Sequence, residues 1–127
     1  MIPENTKRMI LIADDEPDII EIISYNLQSE GYNIITANNV KEALKIGKNQ
    51  NTDLIILDMM MPGKTGREVC KLLRSKPEFG KTLIVFLTAI NDENMEIKGL
   101  ESGADDYITK PISPKVLVSR VNALFRR

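Results

Sequence analysis

The sequence predicts an α/β domain built on a doubly wound sheet of five parallel strands with five helices. Largely apolar runs of strand length recur along the chain at Met9–Ala13, Asn33–Ala37, 53–57, 83–87 and 106–109. The stretches between these runs carry apolar residues at helical spacing. The runs are continuous rather than alternating, which is typical of parallel strands covered by helices on both faces. Strand and helix therefore alternate, joined by right-handed crossovers.

The first two predicted helices follow strands 1 and 2. Pro17 suits the first turn of helix 1, and Gly31 suits its C-terminal end. Its predicted buried face has residues at i, i+3, i+4 and i+8: Ile19, Ile22, Ile23 and Leu27. The second helix repeats this type of pattern at Val40, Ala43, Leu44 and Gly47.

The third, fourth and fifth predicted helices differ in how clearly the sequence marks them. The third contains Cys70, which we interpret as a small packing residue. The fourth, at about residues 92–101, has the weakest apolar stripe: Met95, Ile97, Gly99 and Leu100. The last begins with Ser113-Pro114, an N-cap serine followed by proline. Its predicted buried residues are Leu117, Val121 and Leu124.

The composition limits the chemistry of the chain. Its 127 residues include 17 Lys+Arg, 18 Asp+Glu and no histidine, with a net charge of −1. The lack of histidine excludes Ser-His-Asp and Cys-His catalysis, His-ligated zinc or haem, and a phosphohistidine on this chain. With 43% hydrophobic and 28% charged residues, the length suits one soluble domain, residues 1–127. Phosphoryl or proton chemistry must rest on carboxylates, lysine and hydroxyls.

The expected location is cytoplasmic. Cys70 is the one cysteine, so an internal disulfide cannot form and nothing signals an oxidising compartment. The longest apolar runs reach about five residues, against roughly 20 for a membrane span, and the N-terminus lacks the apolar core of a signal peptide. We expect no membrane association, and the near-neutral charge argues against nucleic-acid binding by this chain alone.

Polar and charged residues stand at the ends of four predicted strands. They are Asp14, Asp15 and Glu16 after strand 1, Asp58 after strand 3, Thr88 at strand 4 and Lys110 at strand 5. The carboxyl ends of parallel strands share one edge of a sheet, where ligands bind. Clustered carboxylates repel one another unless a cation lies between them, and oxygen ligands without Cys or His favour Mg²⁺. The sequence therefore predicts a magnesium site.

Each of these residues also has a simpler interpretation when taken alone. Asp15 or Glu16 fits a helix cap. Lys110 fits an ordinary surface lysine, and Thr88 an ordinary strand residue. The functional interpretation rests on their convergence at one edge.

The same residues belong to a recognisable pattern. The motifs are Asp14-Asp15, Asp58-Met59-Met60-Met61-Pro62-Gly63, Thr88-Ala89 and Lys110-Pro111. They closely resemble the receiver domain of two-component response regulators, over essentially the whole chain after a short N-terminal tail. The resemblance implies the flavodoxin-like strand order 2-1-3-4-5, a sensor histidine kinase as phosphodonor, and no turnover of a separate substrate.

The resemblance also implies roles for individual residues. Asp58 is the phosphoacceptor and binds Mg²⁺ together with Asp15, while Asp14 reaches the metal through a water and Met60 contributes its backbone carbonyl. Thr88 and Lys110 hold the phosphoryl oxygens. The bond between Lys110 and Pro111 is expected to be cis. On phosphorylation the Thr88 hydroxyl moves inward and Tyr107 follows, which changes the surface of helix 4, strand 5 and helix 5. Tyr107 alone also fits a half-buried strand residue.

The C-terminal stretch resembles the subclass of receivers that precede a winged-helix DNA-binding domain. DNA is then reached only through an output domain outside this chain. Residues matching salt bridges across the dimer formed on phosphorylation are Asp105, Asp106, Arg120 and Arg127. Glu96 and Val116 replace a basic and an acidic residue that usually pair, so one bridge cannot form here. Surface bridges are individually worth about 0–1 kcal/mol.

Two apolar residues near the acceptor predict slow loss of the phosphoryl group. Met60 and Ile90 stand two residues after Asp58 and Thr88, at positions that flank the phosphoryl group in the family. Neither side chain can orient an attacking water.

Three other functions fit the sequence less well. A haloacid-dehalogenase-like phosphatase also uses Asp, Mg²⁺, a hydroxyl and Lys, but its nucleophile follows strand 1 in an Asp-x-Asp motif and it needs room for a cap domain. An interaction module with a dead acceptor site would lack acceptor residues that are present here. A flavodoxin-like cofactor binder would carry a Gly-rich phosphate loop after strand 1, and fold alone does not decide function.

Overall fold

The computed structural model describes residues 8–49, 51–59, 65–89, 101 and 103–126. The strands are β1 (Met9–Ala13), β2 (Asn33–Ala37), β3 (Leu54–Asp58), β4 (Leu83–Ala89) and β5 (Asp106–Lys110). The helices are α1 (Pro17–Ser29), α2 (Val40–Asn49), α3 (Gly66–Arg74) and α4 (Pro114–Phe125), with a 3₁₀ turn at Pro77–Phe79. The predicted fourth helix at 92–101 lies almost entirely outside the described residues, so α4 is the helix predicted as the fifth.

The strands form one parallel sheet in the order β2-β1-β3-β4-β5. This confirms the predicted fold class and strand order. From β1 the chain connects to β2 on one side, and it then crosses back to β3 on the other side of β1. Ligands bind between β1 and β3 in this class of fold, because the direction in which strands are added changes there. Ala13 lies opposite Leu57 in the register of these strands, so the residues that follow, Asp14 and Asp58, stand side by side.

The helices cover both faces of the sheet, as the continuous apolar strands require. On one face, α2 and α3 pack on the sheet through Val40, Ala43, Val69, Cys70 and Leu73. On the other, α1 and α4 pack through Ile23, Leu27, Leu117, Val121 and Leu124. Cys70 is buried in the core, as its interpretation as a packing residue requires.

One predicted core residue of α1 is wrong. Ile22 is 41% exposed, whereas Ile20 packs against the core that Ile23 and Leu27 help to form. A helix turns about 100° per residue, which brings position 20 onto the same side as 23 and 27 and turns position 22 away from it. The predicted ends of this helix are confirmed, because Pro17 occupies the first turn and Gly31 follows in the left-handed region at φ 95°.

The end of α3 carries a network that ties three segments together. The guanidinium of Arg74 donates hydrogen bonds of 2.6–3.1 Å to Asp105 Oδ2 and to the carbonyl oxygens of Phe79, Thr82 and Gly103. Asp105 Oδ2 also accepts from the backbone N–H of Ile84 at 2.8 Å. The start of β4 and the segment entering β5 are therefore held by one side chain.

The amino ends of β1 and β2 meet the end of α4. The Arg8 guanidinium lies 4.9 Å from the centre of the Phe125 ring, and the ring of Tyr32 lies 5.4 Å from that of Phe125. Tyr32 also donates a hydrogen bond from its hydroxyl to Asn122 of α4. No helix within the described ranges has the length and apolar content needed to cross a bilayer.

Gly66→Ala is expected to lower the free energy of unfolding by about 1–3 kcal/mol, the range for overpacking. A Cβ at this first residue of α3 would lie 2.8 Å from both the backbone oxygen of Asp58 and the ring of Phe86. The first turn of α3 would have to move away from β3 and β4. Urea denaturation measures the effect. In the matched variant Gly80→Ala the nearest atom is 3.3 Å away, and a change of the same size there would contradict the packing argument.

Candidate functional site

The predicted site residues meet at the carboxyl edge of the sheet. Asp14 follows β1, Asp58 is the last residue of β3, and Lys110 is the last residue of β5. Thr88 is buried near the end of β4, paired in register with Thr109 of β5. The bond between Lys110 and Pro111 is cis, as the resemblance implied.

Four carboxylates form a cluster at this edge. Asp14, Asp15, Glu16 and Asp58 each offer an oxygen, and these oxygens all lie within 4.8 Å of one another. Asp14 and Asp58 are buried, whereas Asp15 and Glu16 are exposed. Two buried acids therefore form the floor of the cluster, and two exposed acids line its rim.

Lys110 provides the cationic side of the cluster. Its Nζ lies 3.3 Å from Asp58 Oδ2, 3.3 Å from Glu16 Oε1 and 3.4 Å from Asp14 Oδ2. Burial alone would lower the pKa of the ammonium, but the negative charges of Asp58, Asp14 and Glu16 outweigh it and raise the pKa above its ordinary value. Lys110 is accordingly protonated at neutral pH.

The arrangement of Asp14 fits a divalent cation. Its Oδ1 accepts the backbone N–H of Glu16 at 2.8 Å. Its Oδ2 is buried and, among the described residues, accepts no hydrogen bond. Burial raises the pKa of this carboxyl, the hydrogen bond from Glu16 opposes the rise, and the charge of Asp58 adds to it. A buried carboxylate oxygen that accepts no hydrogen bond and has only the ion pair with Lys110 at 3.4 Å, within a cluster of carboxylates, suits a hard cation such as Mg²⁺ or a water bound to it.

Without metal, Asp14→Asn is expected to raise the free energy of unfolding at pH 7 by about 1–3 kcal/mol, because it removes a buried negative charge that lies beside Asp58. The pKa of Asp14 is raised in the folded state, so wild-type stability falls as pH rises above the ordinary value of 3.8. The advantage of the variant therefore shrinks toward about pH 4. Urea denaturation across this range, with and without MgCl₂, measures it. Mg²⁺ should stabilise the wild type more than the variant, and a variant that is less stable at pH 7 without metal would contradict the prediction.

Comparison with known proteins agrees with this geometry. A family model described as the response regulator receiver domain matches residues 10–122. The chain belongs to this family.

A curated relative of this receiver domain shares nearly half of its aligned residues. It is 46% identical over 120 residues to the alkaline phosphatase synthesis transcriptional regulatory protein PhoP of Bacillus subtilis (strain 168), a match covering 94% of this chain and 49% of that protein. The receiver domain thus spans about half the length of this curated relative. The match to a transcriptional regulatory protein supports the resemblance to receivers that precede a DNA-binding domain.

Solved structures share the receiver fold along nearly the whole chain. The receiver domain of the Francisella response regulator 1452 has a TM-score of 0.87 and 36% identity, covering 95% of this chain and 98% of that one. A two-component response regulator from Clostridium difficile has a TM-score of 0.89 and 31% identity, with the same coverage.

The receiver domain places the remaining predicted residues on its β5 and α4 face. Tyr107 is half-buried and packs against the core, and the Arg120 guanidinium lies 5.7 Å from the centre of its ring. Asp106 Oδ1 accepts a hydrogen bond from Arg120 at 2.9 Å. Asp105 instead pairs with Arg74 at 2.8 Å. Both acids predicted for a dimer face are therefore bonded within the chain in this structure.

Four of the predicted positions lie outside the described residues: Met60, Ile90, Glu96 and Arg127. Val116 is described, and it is exposed on α4. The sequence did not predict the Arg74 network, because an arginine at a helix end is common for local reasons. It placed Glu16 and Lys110 at the same edge of the sheet but did not identify their direct pairing.

Proposed function

We propose that this receiver domain is a phosphorylation switch in which Asp58 accepts a phosphoryl group from the phosphohistidine of a sensor histidine kinase. The observation that carries the proposal is the pairing of buried Asp58 with Lys110 at 3.3 Å inside the carboxylate cluster. A carboxylate beside an ammonium and a cation-binding cluster has what phosphoryl transfer needs, which is positioning and neutralisation of charge.

The transfer conserves atoms and electrons. A carboxylate oxygen of Asp58 attacks phosphorus and forms an acyl phosphate, while the P–N bond to the donor imidazole breaks and its electron pair stays on that nitrogen. Lys110 neutralises charge on the phosphoryl oxygens, and the Thr88 hydroxyl donates a hydrogen bond to one of them. The chain is a stoichiometric acceptor, so we do not class it as an enzyme with a turnover substrate.

The cluster is proposed to hold Mg²⁺. Asp15 and Asp58 bind it directly, Asp14 through a water, and Met60, which lies outside the described residues, through its backbone carbonyl. The cation, when bound, neutralises charge that develops on the phosphoryl oxygens. The Oδ2 of Asp14, which is buried and accepts no hydrogen bond among the described residues, supports this assignment.

The output is proposed to be a change of surface shape. Phosphorylation adds negative charge to the site, the Thr88 hydroxyl moves toward it, and Tyr107 follows. The face of β5 and α4, with the helix predicted at residues 92–101 that lies almost entirely outside the described residues, then binds an output domain or a second copy of the chain. The output domain makes any contact with DNA, and the second copy is bound through Asp105, Asp106, Arg120 and Arg127. Asp105 and Asp106 would first have to leave their partners within the chain, Arg74 and Arg120. We propose that this takes place in the cytoplasm.

The proposal is tested by incubating the chain with acetyl phosphate and MgCl₂ and measuring its intact mass. We expect a gain of one phosphoryl group in the wild type and in the exposed-acid control Asp18→Ala, and none in Asp58→Ala. No gain in the wild type would overturn the proposal. Sustained release of product from a generic aryl phosphate would favour a phosphatase instead.

The phosphoryl group is expected to stay on Asp58 for minutes or longer. Apolar Met60 and Ile90 stand where a side chain could otherwise orient the attacking water. The decay of the phosphorylated mass after removal of acetyl phosphate measures the lifetime. Placing a polar side chain at either position, as in Met60→Asn, should shorten it, and a half-life of only seconds in the wild type would contradict the expectation.

A further inference from the structure

The side chain of Glu16 is directed away from its own helix. Glu16 is the N-cap residue of α1, yet its carboxylate makes no capping hydrogen bond, although N-cap side chains usually accept from the first turn. Its Oε1 lies instead 3.3 Å from Lys110 Nζ. Helix capping therefore does not account for this carboxylate.

Lys110 has one N–H donor for each of the carboxylates around it, and none to spare. Its ammonium carries three N–H donors, and Asp14, Glu16 and Asp58 all lie within 3.4 Å of it. Phosphoryl oxygens on Asp58 that bind this ammonium must displace at least one of the existing contacts.

Glu16 is the partner that can leave at the lowest cost. Its side chain is 59% exposed, against 0% for Asp14 and 8% for Asp58. An exposed carboxylate regains water when it leaves its partner, whereas a buried one would be left unpaired. The backbone N–H of Glu16 donates to Asp14 Oδ1 at 2.8 Å, so the side chain can rotate away while the loop stays in place.

We propose that Glu16 is an exchangeable counter-ion of Lys110. It holds the ammonium within the acceptor site before phosphorylation and gives it up to the phosphoryl oxygens afterwards. The inference rests on the proposed function and adds Glu16 to it as a positioning residue. Because Glu16 competes for Lys110 and places a further negative charge beside the phosphoryl group, it weakens the binding of that group.

The test uses beryllium fluoride, a tetrahedral phosphoryl analogue, titrated in saturating MgCl₂ and followed by amide chemical shifts. This readout is an equilibrium and involves no chemical step. We expect Glu16→Gln to bind the analogue about three-fold tighter, the effect of one charge ~6 Å away in a water-rich site. The matched control Asp18→Asn removes an equal charge from the exposed first turn of the same helix and should change affinity by less than about two-fold.

Each other outcome overturns the inference or the proposed function. A Glu16→Gln effect no larger than that of Asp18→Asn would make Glu16 an ordinary surface acid. A ten-fold or greater loss of affinity for Mg²⁺ alone would make it a metal ligand instead. If the wild type binds the analogue and Glu16→Gln is unchanged, only this inference fails. If the wild type does not bind the analogue at all, the proposed function fails with it.

Discussion

Replacing Lys110 with alanine is expected to slow phosphorylation of Asp58 by acetyl phosphate about 100-fold, the usual effect of removing one group that stabilises charge in a transition state. The ammonium lies 3.3 Å from the acceptor oxygen and is shared with Asp14 and Glu16. Without it, a cluster of four carboxylates faces an anionic donor with only the proposed Mg²⁺ to offset the charge. Intact mass measured over time at saturating MgCl₂ gives the rate.

Two further variants separate charge from folding in this experiment. Lys115→Ala removes the same charge from an exposed position on α4 and should leave the rate within about two-fold. Lys110→Arg keeps the charge with a different geometry and should recover part of the rate. Circular dichroism checks that each variant is folded. A folded Lys110→Ala variant that reacts at the wild-type rate would remove Lys110 from the site.

Arg74→Ala is expected to lower the free energy of unfolding by about 2–3 kcal/mol, since a half-buried charge pair and several charged hydrogen bonds are lost together. The carbonyl oxygens of Phe79 and Thr82 lose a donor, and Asp105 loses its guanidinium partner. For a domain of this size the melting temperature should fall by about 10 °C. Urea and thermal denaturation measure both quantities.

The matched control for this prediction lies on the same helix. Arg67 is exposed on the first turn of α3, and Arg67→Ala should change stability by less than about 0.5 kcal/mol. Arg74→Lys keeps the charge but loses the planar fork, so it should recover less than half of the loss. A double-mutant cycle with Asp105→Asn isolates the ion pair. An Arg74→Ala loss no larger than that of Arg67→Ala would show that the network is not stabilising.

The fold could be predicted because the sequence patterns that indicate its strands and helices are local. Apolar runs, helical spacing, and proline or glycine at helix ends are each read within a few residues, and parallel strands then place their carboxyl ends together whatever the details of packing. The clustering of Asp14, Asp58 and Lys110 followed from that topology. Ile22 was misassigned because apolar residues at positions 19, 20, 22 and 23 allow more than one buried stripe.

The contacts that escaped prediction depend on distant segments. Arg74 bonds to Gly103 and Asp105, 29 and 31 residues along the chain, and no local pattern indicates that these segments approach each other. The strand topology placed Glu16 and Lys110 at one edge of the sheet, but it did not show that these two side chains, 94 residues apart, pair directly. A local pattern shows that a charged side chain is present, but only the folded chain decides which partner it meets.

The placement of α4 determines how far a chemical event at Lys110 must be transmitted. The helix begins at Pro114, just after the acceptor edge, and its end at Phe125 contacts Tyr32 and Arg8 at the opposite edge of the sheet. Its length is about 18 Å at 1.5 Å per residue. The helix is buried along one side by Leu117, Val121 and Leu124, and its backbone hydrogen bonds join its turns into one unit. It therefore connects the edge that carries Lys110 with the opposite edge of the sheet.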